Sequence, residues 1–256
     1  LPPLTNSEHV SRVLYWRGRI HFSMGDHVKS EELLWQAIEL AEKLDDRLLH
    51  ATILTRLTSA ISREGYPPRI IPLYEQLIRI SEEENFPRYV ALGQLGLARQ
   101  SIRAGNVASA RPRIESTITT SRADPDLNDF ELDARNLLGI LEVRLGDHEA
   151  ARSAWMENLQ KAKEYNSSFY IGQSLTNLGR EEISHGDPGK AVEYWNEAYE
   201  LLISLDKVRA AMLPGSNAAV ALRESGRYLE AAALFEDLLA TARKHHFTDR
   251  EGAALI

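Results

Sequence analysis

The chain has no cysteine in 256 residues. That excludes disulfides, thiol nucleophiles and thiolate metal sites, and it fits a reducing, cytoplasmic setting. It also lacks any apolar run near the roughly 20 residues that a membrane-spanning helix needs, so no membrane contact is expected. The first residues, Leu1-Pro-Pro-Leu4, carry no initiator Met and no signal-peptide pattern, and the chain reads as a piece of a longer protein. Positive charge is short: 30 Lys and Arg face 37 Asp and Glu, for a net charge of −7. That balance argues against general nucleic-acid binding. With 43% hydrophobic residues the chain is too apolar for a disordered segment.

What is present is a period. Gly25-Asp26, Gly65-Tyr66, Gly105-Asn106, Gly146-Asp147, Gly186-Asp187 and Gly226-Arg227 are spaced 40, 40, 41, 40 and 40 residues apart. Between them apolar residues recur three and four apart, as on amphipathic helices. Gly accepts the left-handed conformation that ends a helix, and Asp or Asn caps the next one. The fifth residue after the Gly is Ala110, Ala151, Ala191 or Ala231 in four units. The ninth is bulky: Leu34, Tyr74, Ile114, Trp155, Trp195 and Phe235. The seventh before it is Gly18, Gly139 or Gly179, with Ala98 and Ala219 replacing it and Thr58 departing. A small residue facing a knob lets two helices approach closely.

This pattern resembles the tetratricopeptide repeat across essentially the whole chain, most closely in Gly179–Ala198, "GREEISHGDPGKAVEYWNEA". The period is 40 rather than the family's usual length of about 34. The resemblance implies an all-α, right-handed superhelical solenoid of six helix-turn-helix units, with 12–13 helices, spanning residues 1–256 as one domain. The units with most breaks are the second and third. Pro67, Pro68 and Pro72 predict a late or kinked helix, and Pro112 falls inside another. A helix is expected from Tyr228 to His245, and Thr248–Ile256 reads as the start of a seventh unit, so the array is expected to continue past Ile256. An uncovered end there is a place where copies could meet.

Catalytic and metal motifs are poor. Gly189-Lys190 lacks the earlier Gly and following Ser or Thr of a phosphate loop, since Ser184 and Ala191 stand there. His148-Glu149 begins like a helical zinc motif but places Arg152 at the second ligand. Asp124, Asp126 and Asn128 imitate a calcium loop, which Asp129 and Arg135 then break. His245 and His246 are adjacent and point apart on a helix. The expectation is a protein without enzymatic activity, cofactor or metal.

The resemblance places the first helix of each hairpin on the concave face, at offsets 13, 10, 9, 6, 3 and 2 before each Gly. These 36 positions hold nine arginines: Arg12, Arg19, Arg56, Arg63, Arg99, Arg103, Arg144, Arg180 and Arg223. With 23 arginines in 256 residues, about three would fall there by chance. The only acids on the face are Asp133 and Glu224. Asn136, Asn177 and Asn217 lie there too, with amides suited to an extended peptide backbone. Arg63, Arg103, Arg144 and Arg223 occupy last turns, where the helix dipole alone accounts for a cation. The chaperone-tail clamp of the family is not matched, because Tyr15, Arg19, Thr55 and Ser59 stand at its positions.

The expected function is a scaffold that binds an acidic or extended peptide or protein segment. Its ligand face would comprise Arg19, Arg56, Arg99, Arg103, Asn136, Arg144, Asn177, Arg180, Asn217 and Arg223. The partner is a protein or peptide, or another domain of the same chain. The alternative is the sensor region of a multidomain bacterial transcription or signalling regulator, binding a small effector.

Overall fold

The computed structural model describes residues 6–63, 65 and 67–245. The segment Thr248–Ile256, expected to open a seventh unit, lies outside these. Twelve α-helices run through the described residues, without a strand. They are α1 (Asn6–Ser23), α2 (His27–Leu44), α3 (Arg47–Ser62), α4 (Ile71–Glu83), α5 (Pro87–Arg103), α6 (Val107–Arg122), α7 (Asn128–Leu145), α8 (His148–Glu164), α9 (Ser168–Ser184), α10 (Pro188–Ser204), α11 (Val208–Glu224) and α12 (Tyr228–Lys244). The chain divides into two compact units, residues 1–134 and 135–256.

All six periodic glycines sit at positive φ, between 76° and 93°. At five of these elbows the N–H of the next residue turns back to a carbonyl five residues earlier, as Asp147 does to Glu142 at 3.0 Å and Asp187 to Glu182 at 2.9 Å. Orphan carbonyls at the helix end are thereby satisfied. Asp26, Asp147 and Asp187 then accept the N–H of Lys29, Ala150 and Lys190, capping the following helix. A second series of turns joins one hairpin to the next. There the left-handed residue is Asp45, Asn85, Asn166 or Asp206, side chains that tolerate this conformation better than most.

The prolines act as their chemistry requires. After Gly65 the chain winds one 3-10 turn, Pro68–Ile70, and α4 starts late, with 13 residues against 16–18 elsewhere. Pro112 stays inside α6 on its exposed side. The polar connection around Asp124 is wound as well: its carboxylate accepts the Asp126 N–H and opens a 3-10 turn, Pro125–Leu127.

In the first unit each helix packs on its sequence neighbour from α1 to α6. Their core gathers Leu34, Ile53, Leu54, Leu57, Ile61, Ile70 and Leu77, all with zero or near-zero exposure. Leu34 seats on Gly18, where an added Cβ would lie 2.9 Å from its Cγ. Tyr74 behaves differently. Its own hairpin offers Thr58, so the ring lies instead on Gly96 of the next hairpin, where a Cβ would come within 2.4 Å.

In the second unit α8 to α12 pack in the same serial manner. Trp155 and Trp195, 2% and 5% exposed, fill the hairpins. They lie over Gly139 and Gly179, where a Cβ would meet the rings at 2.4 and 2.5 Å. Each indole also donates a hydrogen bond to backbone on the facing helix: Trp155 Nε1 to the Asn136 carbonyl at 3.3 Å, and Trp195 Nε1 to that of Thr176 at 2.9 Å. A buried indole N–H left unpaired would be costly, and this arrangement avoids it.

Candidate functional site

The expected face is narrower than the offset count suggests. In the middle repeats the positions nine and ten before the Gly are mostly buried: Leu95, Gly96 and Leu137 face the core, while Asn136, Thr176 and Asn177 keep 7–9% of their surface exposed. Positions 13, 6 and 2 before the Gly remain accessible.

In the second unit, α7, α9 and α11 frame a cleft of about 350 Å³. Its polar lining is Asn136, Gln173, Thr176, Asn177, Arg180 and Arg209. Ile140, Phe169, Leu202, Leu213 and Pro214 supply apolar wall, and no carboxylate lines it. Asn177 Nδ2 donates to Asn136 Oδ1 at 2.8 Å, joining consecutive repeats side chain to side chain. That bond commits one donor and one acceptor and fixes how both amides face. Arg180, one turn beyond Asn177, is exposed, and its guanidinium makes no ion pair or hydrogen bond among the described residues. Gly172 brings the α9 backbone close to Leu202, with 3.0 Å from a built Cβ to the Leu202 Cγ.

Three of the ten expected residues therefore meet here: Asn136, Asn177 and Arg180. Asn217 is half-buried and outside the cleft lining. Arg144 is exposed in the last turn of α7, and Arg223 lies 3.9 Å from Glu224. Phe169 and Arg209 were not anticipated. Both lie 17 residues before their Gly, one helical turn upstream of the farthest offset considered. The long repeats extend the face by that turn.

In the first unit the arginines have mixed fates. Arg99 is ion-paired with Asp133, so its charge is already spoken for. Arg12 pairs with Glu8 and Asp46 at 3.4 and 3.3 Å. Arg103 is exposed and carries a partner of its own. Arg19 stacks on Trp16 with its guanidinium carbon 4.5 Å from the ring centre. Arg56 and Arg63 lie over Phe22 at 5.4 and 5.6 Å. Repeat geometry decides who is paired: residue 6 before one Gly faces residue 13 before the next. Arg99 thus meets Asp133 at a separation of 34 residues, while the counterpart of Arg180 is the apolar Leu213.

No group of three or more His, Asp or Glu able to hold a metal occurs among the described residues. No helix among them is long and apolar enough to cross a membrane.

Tetratricopeptide repeat models match residues 11–44, 95–167 and 216–246. A comparison with curated proteins gives no match. Among solved structures, a Rap protein complexed with Competence and Sporulation Factor is 16% identical, with a TM-score of 0.64 over 94% of this chain and 77% of that one. NprR in complex with its cognate peptide NprX is 13% identical, with a TM-score of 0.62 over 91% of this chain and 64% of NprR. A signal-transduction ATPase with a tetratricopeptide repeat sensor, from Pyrococcus horikoshii, is 19% identical, with a TM-score of 0.64 over 94% of this chain and 40% of that protein. Elbow glycines, knob-on-glycine packing and these matches agree: the chain is a tetratricopeptide-like helical repeat protein.

Proposed function

We propose that the protein is a non-catalytic recognition module that holds an extended peptide segment carrying an acidic group in the α7–α9–α11 cleft. The observation that carries this reading is the bonded pair Asn136–Asn177 beside the Arg180 guanidinium, which has no partner among the described residues. An oriented primary amide offers a donor and an acceptor to a peptide group, and a guanidinium takes a carboxylate through two parallel bonds. Apolar walls from Leu213, Ile140 and Phe169 would accept a neighbouring side chain. Rap and NprR, of the same fold, were solved with Competence and Sporulation Factor and with the cognate peptide NprX respectively. Another domain of the same polypeptide could take the partner's place in this scheme without change in the chemistry.

The test is fluorescence anisotropy of labelled extended peptides, acidic and charge-reversed, against the intact chain. Acidic peptides should bind and weaken as salt rises. Arg180→Glu and Asn177→Ala should each weaken binding by about tenfold, the size of one lost charge-assisted or buried bond. Binding indifferent to salt and to both changes would reject the proposal.

A second reading rests on the cleft's volume, which is within the range of small-molecule sites. In it the module is a sensor in a signalling or transcription regulator, like the repeat sensor of the Pyrococcus ATPase. A thermal-shift screen with metabolites separates the two. A metabolite hit that Arg180→Glu abolishes favours the sensor, and hits confined to peptides favour the scaffold.

A further inference from the structure

The first unit holds a different cluster. Arg19, Arg56 and Arg63 have neither an ion pair nor a hydrogen bond to a carboxylate among the described residues. Several arginines of this unit find acids: Arg47 with Asp45, Arg69 with Glu31, Arg99 with Asp133 and Arg122 with Glu131. Arg88 and Arg113 meet the Asp126 carbonyl and the Gln94 amide oxygen, whereas Arg19, Arg56 and Arg63 are held by aromatic rings. Arg19 lies over Trp16 and, at 5.8 Å, Tyr15. Arg56 and Arg63, two turns apart along α3 and its end, converge on the single ring of Phe22. Phe22 stands one turn from Arg19 on α1.

Stacking fixes a guanidinium through its face and leaves the N–H donors at its edge unused. The Arg56 Nε is moreover buried and without a hydrogen-bond partner among the described residues, as is Nδ1 of His27, whose ring lies 5.2 Å from Phe22. Buried donors in native proteins are almost always satisfied. The neighbouring carboxylate, Asp26, is already engaged by the Lys29 N–H and His21. Three positioned cations with no counter-charge among the described residues, in a chain of −7, favour an anion with more than one charge and several oxygens.

We infer that the α1–α3 face is a binding site for a phosphoryl group, with Arg56 and Arg63 as its grip and Arg19 beside it. A phosphate dianion presents three acceptor oxygens to a fork of N–H donors and neutralises more than one guanidinium at once. A single carboxylate does neither. This site is separate from the asparagine cleft in the other unit and does not depend on that reading.

The experiment is calorimetric titration of the intact chain at low ionic strength. The probes are a phosphoserine peptide, its serine counterpart and inorganic phosphate. The phosphorylated peptide should bind at least tenfold tighter than the serine form. Arg63→Gln, at an exposed position, and Arg56→Gln should each weaken it at least fivefold, while Arg243→Gln, at an exposed position of α12, leaves it unchanged. Equal affinity for inorganic phosphate would identify a free phosphoryl ligand, and a clear preference for the peptide would identify a modified segment; both uphold the site. Equal binding of the serine and phosphoserine peptides would overturn it. So would full affinity in Arg63→Gln with an unaltered thermal melt.

Discussion

Replacing Gly139 by Ala tests the packing on which the hairpins depend. At a mid-helix position this change alone favours the helix by about 1 kcal/mol. The structure opposes it, because the new Cβ would stand 2.4 and 2.5 Å from Cε2 and Nε1 of Trp155. Ordinary contact needs about 1 Å more. Trp155 is 2% exposed, and its Nε1 is bonded to the Asn136 carbonyl, so the ring cannot shift without losing that bond. Overpacking costs about 1–3 kcal/mol, and a buried donor left unpaired costs about 1–3 kcal/mol more. Set against the helix term, the net loss should be about 3 kcal/mol. In a chain of this size that lowers Tm by roughly 6–12 °C. The third repeat carries Ala98 and Ile114 at the same two positions, so Trp155→Ile should partly rescue Gly139→Ala. Chemical denaturation of both single variants and the double variant gives the coupling directly. If Gly139→Ala matches or exceeds the parent in stability, or the two effects simply add, the knob-on-glycine account is wrong.

Two further outcomes follow from local geometry. Gly105→Ala, at φ 78°, should lose about 1–2 kcal/mol. Asn85→Gly, at φ 56°, should be neutral or stabilising by less than about 1 kcal/mol; urea denaturation showing the same sign for both would refute the turn assignment. The histidines should titrate in a set order by NMR of their ring protons, assigned with His50→Gln and His185→Gln. His185 is held above the ordinary 6.5 by its bond to the Glu181 carbonyl and then by Glu149. Its contribution is complete below 6.5 and is lost as pH rises through the raised value. Burial pushes His50 below 6.5, so the unfolded chain takes its proton first and His50 costs stability as pH falls under 6.5. On acidification His185 should charge before His50.

The hairpins were legible because their signals are local. A left-handed elbow demands Gly whatever lies around it, and a knob demands a small residue at a set distance in the same hairpin. The companion turns at Asp45, Asn85, Asn166 and Asp206 recur with the same rhythm, but Asp and Asn are common on any helical surface and their spacing does not stand out. The site was legible only in part. Asn136, Asn177 and Arg180 were found from their offsets. That Arg99 is paired while Arg180 is not depends on what the next repeat offers at its thirteenth position, Asp133 in one case and Leu213 in the other. Phe169 and Arg209 lie a turn farther out, within reach only because the helices are longer than the family pattern from which the face was counted.

The two indoles have a consequence for anyone redesigning this protein. Trp155 and Trp195 tether the carbonyls of Asn136 and Thr176, and the side chains of those same residues line the cleft. Front and back of these helices are therefore one mechanical element. A graft that rewrites the cleft must leave the hidden tryptophans in place, and a conservative repair behind the hairpin will shift the cleft lining in front of it.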